Sequence, residues 1–315
     1  MDWKKDVTGL LTNSEQPLIV VLGPTASGKT AFSIDLARFI QSMGKGAEVI
    51  NADSRQLYTH LTIGTAKVSA REARGVPHHL LDVLDPREEA SAGWYQKEAR
   101  TIIQKIHDEG SVPILVGGSM LYISSVIDSL SMAPTPEPEH RERLIREWKK
   151  DDGKTLYARL QEIDPKTAEK VHQNNMPRLV RAVEIFELLQ EPKSTAVPKS
   201  ELRSPEAESP YDLLLFGMQW ERDELCARIT KRTKLMFEEG WMEEVEDLLN
   251  HGYTAEDPAL KSHGYREIIA YKEGSSDDLD SLQELIASKT RQYARRQMTW
   301  WKGDSRIQWL SQEVR

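Results

Sequence analysis

The sequence has 315 residues with 39% apolar and 29% charged content, which suits a folded protein large enough for one main domain and a satellite. Acidic residues outnumber basic ones 50 to 42, a formal charge of −8, so nucleic-acid binding must rest on local clusters of Lys and Arg rather than on the net field. One cysteine, Cys226, excludes an intramolecular disulfide and a multi-cysteine zinc site; no stretch approaches the ~20 apolar residues that cross a bilayer.

The opening MDWKKDVTGLLTNSEQ contains no apolar run of secretory-signal length, and a soluble, cytoplasmic protein with no membrane partner is expected. Leu18 to Leu22 (LIVVL) is a continuous apolar run ending in Gly23-Pro24, the pattern of a strand buried on both faces. Phe32, Leu36, Phe39 and Ile40 then recur at helical spacing between Thr30 and Ser42, and Glu48 to Ala52 completes a βαβ unit. Strands are predicted at His79 to Val83 and Val112 to Val116, with a helix from about Ser91 to His107 between them. Such alternation implies an α/β fold: a P-loop parallel-sheet core with helices on both faces.

The pattern changes at Ala133-Pro134-Thr135-Pro136-Glu137-Pro138, after which the chain is helical and highly charged to Gln190. A second breaker, Glu191 to Pro210, is rich in proline and serine. The two mark an inserted all-helical domain over 131–205, leaving 1–130 and 206–315 as the core. Tyr211 to Met218 (YDLLLFGM) reads as a return to the sheet, and long helices are predicted from about Arg222 and from about Ser281 to the end.

Gly23-Pro24-Thr25-Ala26-Ser27-Gly28-Lys29-Thr30 fits G-x-x-x-x-G-K-[ST] and lies between a predicted strand and helix, the context a P-loop requires. Its backbone amides wrap a phosphate chain, the helix start adds partial positive charge and Lys29 a full one. Thr30 is the candidate Mg²⁺ ligand through its hydroxyl. The motif alone serves a nucleotide such as ATP or any other diphosphate. Asp53 follows the second strand, where ligands of parallel sheets bind; by position it is equally a site carboxylate or a helix cap with Ser54. Gly117-Gly118-Ser119 is a further turn on the same sheet edge.

These residues extend into a longer pattern: NADSRQLY, IGTAK at Ile63 to Lys67, GVPHH at Gly75 to His79 and VGGSMLY at Val116 to Tyr122. DPKTAEKVH, RLVRAVEI at Arg178 to Ile185, GYRE at Gly264 to Glu267 and RQYARRQMTW at Arg291 to Trp300 follow. Together they resemble the tRNA dimethylallyltransferases, also called tRNA isopentenyltransferases, over nearly the whole chain. The resemblance implies transfer of a dimethylallyl group from its diphosphate to the exocyclic amine of the adenosine immediately 3′ of the anticodon, with Mg²⁺ as cofactor and the tRNA anticodon arm as partner. A monomer is expected.

By the same resemblance Asp53 is the general base, while Thr25 and Arg232 bind the diphosphate end of the donor. Ser54, Arg55 and Gln56 fall in a segment that contacts the target adenosine. Lys261, Ser262, His263, Gly264, Tyr265 and Arg266 match a tRNA-contacting segment. So do Arg291, Arg295 and Arg296, and likewise Ser119, Arg141, Arg178 and Arg181. Ser119 stands where threonine is usual, and His263 and Arg266 replace isoleucine and lysine of the commoner IGYKE.

Two basic stretches agree with an RNA partner: Arg228, Lys231, Arg232 and Lys234 on one predicted helix, and Arg291 to Arg306 with Tyr293, Trp300 and Trp301 interleaved. The tryptophans are read as packing residues and the arginines as the contacts. His78 and His79, adjacent on a strand, point to opposite faces and do not form a metal pair. A small-molecule kinase explains the P-loop but not the insertion or the arginine-rich end, and an RNA-binding NTPase leaves Asp53 and Arg232 without chemistry.

Overall fold

The computed structural model describes residues 2–128, 130, 132, 136–196, 209–274 and 278–311. Six parallel strands form one sheet in the order β3-β2-β4-β1-β5-β6. These are β1 Pro17–Leu22, β2 Ala47–Ala52, β3 His78–His79, β4 Val112–Gly117, β5 Asp212–Met218 and β6 Ile307–Leu310. In chain order, α1 (Trp3–Asn13) precedes β1, α2 (Lys29–Ser42) precedes β2 and α3 (Ala70–Ala73) precedes β3. Helix α4 (Ala92–Asp108) leads to β4, and α5 (Met120–Ile127) follows it.

Central strand β1 is buried from Leu18 to Leu22 because both its faces are covered. Ile19 and Val21 pack with Phe32, Leu36 and Ile40 of α2 and Val7 of α1 in one cluster. Leu18, Val20 and Leu22, equally buried, alternate to the other face. The register sets Leu22, Gly117 and Ala52 side by side at the carboxyl ends of β1, β4 and β2. The three loops leaving those ends are therefore neighbours.

By its contacts the chain divides into two compact units, Met1–Ala90 with Trp94–Ile127 and Ser209–Arg315, and Ser91–Gly93 with Asp128–Glu208. The second unit comprises α6 (Pro138–Asp151), α7 (Lys154–Ile163), α8 (Pro165–Ala168), α9 (Met176–Leu189) and α10 (Lys193–Ala196). Its own core joins Leu144, Leu156, Leu160, Leu179 and Val183, the inward positions of α6, α7 and α9. Of the two proline-rich stretches read as the insertion's edges, residues 133–135 and 197–208 lie outside the described residues.

After β5 the first unit continues with α11 (Arg222–Glu238), α12 (Trp241–Asn250), α13 (Tyr265–Lys272) and α14 (Leu279–Trp301) before β6. Three features differ from the sequence reading. Helix α1 was not anticipated; Asp2 caps it by accepting from the Lys4 and Lys5 amides, and Trp3 meets Phe32 and Phe39 edge-on. The strand expected over His79 to Val83 stops at His79, because Leu80 and Asp82 take left-handed φ values of 58° and 53° and Asp82 turns to the buried Lys67 ammonium at 2.5 Å. The last helix does not run to the end: it stops at Trp301, and β6 adds to the sheet beside β5.

Trp241 wedges α12 against the amino end of α13. Gly264 there has φ 94°, and a Cβ at that position would lie 2.3 Å from the indole. Gly264→Ala is expected to lower stability by ~1–3 kcal/mol through strain and overpacking. Thermal melting checks this; an unchanged midpoint would show that the indole moves freely.

Candidate active site

The loop between β1 and α2 is held from several sides. Lys29 Nζ donates to the carbonyls of Gly23 (3.2 Å) and Pro24 (2.7 Å). From α11, Arg228 Nε donates to the Ala26 carbonyl at 2.9 Å while its guanidinium lies 4.0 Å over the Trp220 ring. Trp220 Nε1 donates to the Ser27 carbonyl at 3.0 Å. With carbonyls turned to these donors, the loop's peptide N–H groups other than that of Thr25, which donates to Gln297 Oε1 at 2.9 Å, are left to form an anion cradle. Arg232, one helical turn beyond Arg228, donates to Thr25 Oγ1 at 3.3 Å.

Asp53 leaves the end of β2 inside a small network. Its amide donates to Asn51 Oδ1 (2.9 Å), and its own Oδ1 accepts from the Arg55 amide at 2.9 Å. No helix begins here, so the capping alternative does not hold; the carboxylate organises a turn and also lines a cavity. From the end of β4, Ser119 Oγ accepts from the Ser54 amide at 2.9 Å.

Two cavities meet at this point. One, of about 460 Å³, is lined by Ser27, Gly28, Lys29, Thr30, Gln56 and Arg228 among others. The other, of about 340 Å³, is lined by Ser54, Arg55, Lys261, His263, Tyr293 and Arg296, with apolar Ile229, Met236, Trp241 and Ile286. Thr25, Ala26, Asp53 and Arg232 line both. A third, of about 270 Å³, is lined by Lys261, His263, Arg266, Lys289 and Arg296 with Glu267.

Burial lowers the Lys29 pKa to about 8, opposed by the Asp53 charge and assisted by Arg232. Arg232 is likewise lowered by burial, raised by Asp53 and lowered by Arg228. Desolvation by the cavity wall also lowers His263, which still keeps an exposed edge, and burial pushes Tyr293 up to about 12.

Of the residues named from sequence, Thr25 to Thr30 of the P-loop, Asp53, Ser54, Arg55, Arg232, Lys261, Ser262, His263, Tyr265 and Arg296 come together around the two joined cavities, while Gly23 and Pro24 do not line them. Gln56 lines the P-loop side instead, its amide donating to the carbonyls of Thr65 (3.1 Å) and Ala66 (3.2 Å). Ser262, Gly264 and Tyr265 are buried, and Tyr265 gives its hydroxyl to Glu244 at 2.6 Å, which leaves Lys261, His263 and Arg266 as the exposed members of that segment. Arg295 is exposed, whereas Arg291 is tied to Thr230 at 3.1 Å and to Glu284. In the helical unit Arg178 is exposed, but Arg141 (3.1 Å) and Arg181 (3.2 Å) both pair with the buried Glu184. His79 pairs with Glu48 at 2.6 Å, and His78 lines the P-loop cavity.

Sequence reasoning missed Glu244 and Gln297. Glu244 accepts from the amides of Thr62 (2.8 Å), Ile63 (2.7 Å) and Gly64 (3.1 Å), fastening the IGTAK loop to α12. Nothing in its local sequence marks it. Gln297 lies one turn beyond Tyr293 in RQYARRQMTW, and that spacing on a site-lining helix was a usable signal.

A phosphate-binding loop that opens through a shared carboxylate into a second, partly apolar cavity defines a P-loop group-transfer enzyme. A family model described as IPP transferase matches residues 56–304. The tRNA dimethylallyltransferase of Geobacter sulfurreducens is 40% identical over 304 residues, covering 96% of this chain and 94% of the relative. That of Carboxydothermus hydrogenoformans is 40% identical over 94% of this chain and 92% of the relative. Among solved structures, a tRNA isopentenylpyrophosphate transferase of Bacillus halodurans superposes with TM-score 0.67 at 34% identity, covering 94% and 90% of the two chains. A eukaryotic dimethylallyltransferase acting on tRNA reaches 0.74 at 26% identity, covering 94% and 74%. The chain belongs to the tRNA dimethylallyltransferase family.

The lowered Lys29 pKa has a measurable consequence. Above pH about 8 the free ammonium has lost its proton, and a bound anion favours the charged form, so binding pyrophosphate at pH about 8.5 takes up a proton. Calorimetry in buffers of different ionisation enthalpy is expected to register that uptake with the wild type and a smaller one with Lys29→Met. Equal uptake in the two proteins would remove Lys29 from the cradle.

Proposed function

We propose that this protein transfers the dimethylallyl group of dimethylallyl diphosphate to the exocyclic amine of the adenosine 3′ of the tRNA anticodon, releasing pyrophosphate. The observation that carries the reading is Asp53 at the junction of the two cavities, within a wall that also contains Thr25 and Arg232. The donor diphosphate occupies the P-loop side and the adenine enters the other. A base stacked in the anticodon loop cannot reach such a cavity, so the adenosine is extruded from its stack.

In the transfer the carbon–oxygen bond to the diphosphate breaks and its electron pair leaves with the pyrophosphate. The adenine nitrogen forms the new bond to that carbon, and its surplus proton passes to Asp53. Charge growing on the leaving group is met by Lys29, Arg232, the Thr25 hydroxyl and the loop amides, which are in place beforehand. The role of base asks Asp53 for position, and it stands in the wall shared by the two cavities.

Thr30 begins α2 beside Lys29 and lines the same cavity. Among the described residues no group of three or more His, Cys, Asp or Glu forms a metal cage. A lone hydroxyl suits Mg²⁺, which keeps several waters and draws its remaining ligands from substrate phosphates. Held there through Thr30, it would neutralise charge on the diphosphate.

For tRNA we assign the exposed cations Lys261, Arg266 and Arg296, which line the acceptor cavity or the third one, together with the exposed Arg295 of α14 and Arg178 in the helical unit. The family relation supports a cytoplasmic enzyme, and we propose that it acts as a monomer. No helix among the described residues is long and apolar enough to cross a membrane.

Incubation with unmodified tRNA, Mg²⁺ and dimethylallyl diphosphate, then digestion and mass analysis, is expected to yield isopentenyladenosine without ATP consumption. Labelled phosphate passing from ATP to a small acceptor, or tRNA-stimulated nucleotide hydrolysis with no modified base, would replace this reading by a kinase or an NTPase. Asp53→Ala is expected to slow single-turnover transfer by ~10²–10⁴ with donor affinity kept; near-normal turnover would reduce Asp53 to its turn-forming role. Arg295→Ala or Arg296→Ala is expected to weaken tRNA binding and lower its log–log salt slope by ~0.7–0.9. Arg291→Ala is expected to act on thermal stability, because its guanidinium is already engaged by Thr230 and Glu284. The opposite partition between those variants would reverse the assignments.

A further inference from the structure

Gln297 on α14 is buried, and both ends of its carboxamide are engaged. Oε1 accepts from the Thr25 amide at 2.9 Å, and Nε2 donates to the Gly118 carbonyl at 2.8 Å. The second contact needs a glycine, since a Cβ on residue 118 would lie 2.2 Å from Nε2. Tyr293, one turn earlier, donates to the same carbonyl at the longer distance of 3.4 Å. Beyond Gly118, Ser119 accepts from the Ser54 amide, adjacent to Asp53. A single neutral side chain thus ties the loop that receives the leaving group to the turn that supports the base.

We propose that Gln297 is a positioning residue for the transfer: its carboxamide sets the Thr25 peptide against the Gly118–Ser119 turn and so fixes the leaving-group site relative to Asp53. The proposal rests on the functional reading above. Thr25 is pulled toward Arg232 through its hydroxyl and toward Gln297 through its amide, and these two bonds orient it from opposite ends. The chemistry of the bridge is specific. It needs one acceptor, for an N–H, and one donor, for a carbonyl, on one planar group, and an amide offers both without charge. A glutamate in its place still accepts from Thr25 but turns a lone pair toward the Gly118 carbonyl unless it is protonated. A methionine of similar length makes neither bond.

The test compares wild type, Gln297→Met and Gln297→Glu in steady-state and single-turnover transfer from dimethylallyl diphosphate to tRNA, between pH about 6 and about 8.5, with thermal melts at each pH. A displacement on the order of 1 Å at a reacting centre costs ~10²-fold, so Gln297→Met is expected to lose about that in kcat while both KM values change by a few-fold at most and the pH profile keeps its shape. Gln297→Glu is expected to be comparably slow at the alkaline end and to recover as pH falls, because burial raises a carboxyl pKa and only its acid form donates to Gly118. A folded Gln297→Met with wild-type kcat overturns the proposal. So does a Gln297→Glu whose pH profile parallels the wild type, a criterion that stands even if the methionine variant fails to fold. Wild-type protein that makes no isopentenyladenosine overturns the functional reading itself, and this proposal with it.

Discussion

Two cations and one carboxylate share a partly desolvated corner of the sheet edge, and much of the surrounding structure serves to keep them there. Burial disfavours the charged forms of Lys29 and Arg232, Arg232 further disfavours Lys29 and Arg228 further disfavours Arg232, while Asp53 offsets part of that cost for both. The cavity wall carries Lys29, Arg228, Lys231 and Arg232 against Asp53 and Glu72, and two negative charges do not balance four positive ones. The remaining imbalance is what an anionic ligand relieves, and a diphosphate whose charge grows during bond breaking relieves it most in the transition state. In the proposed reaction the donor diphosphate takes over the cations that attract Asp53 in the free protein, which would leave the carboxylate available to the acceptor side.

These groups come from distant parts of the chain, which explains the order of the sheet. Strands β1, β2 and β4 bring the phosphate loop, Asp53 and the Gly118 turn to one edge. Arg228 and Arg232 reach that edge because β5 pairs beside β1 and α11 follows directly. Helix α14 then adds Gln297 and Tyr293, and β6 fastens the end of the chain to β5. The segments after the helical unit are thus part of the chemistry, holding the backbone of a loop formed some two hundred residues earlier in the sequence.

Local patterns were legible in the sequence and long-range ones were not. LIVVL and GPTASGKT each identify themselves within a few residues, since a buried parallel strand and a phosphate loop have local requirements, whereas position alone left Asp53 between a site carboxylate and a helix cap. The short β3 misled because its continuation, Leu80 to Val83, is apolar enough for a strand, while tertiary contacts turn it aside: Asn51 to the Leu80 carbonyl, the Asp82 and Val83 amides to the Gln56 and Leu57 carbonyls, and Lys67 to the Asp82 carboxylate. Strand β6 was missed because Ile307–Leu310 is short, and its pairing with β5 leaves no trace in spacing. Among site residues, Arg232 and Asp53 were found through family resemblance. Glu244 was not, because three backbone amides are its partners and backbone amides have no sequence identity.

The acidic balance of the chain is reconciled with an RNA partner by where its carboxylates are spent. Beside the acceptor cavity, Glu267 is buried, with one oxygen on the Gly264 amide and the other 2.6 Å from Lys289. Glu244 is consumed by the IGTAK loop, and in the helical unit Glu184 and Glu187 are enclosed by Arg141, Arg181, Arg143 and Arg159. Lys261, Arg266, Arg295 and Arg296 stay exposed. A phosphate chain approaching this side meets Arg266 and Arg296, unpaired with acids among the described residues, while Lys261 lies 3.6 Å from the exposed Glu256, and charges more than ~8–10 Å away are largely screened at physiological salt. Net charge then governs solubility and nonspecific repulsion, and the local set governs where RNA docks.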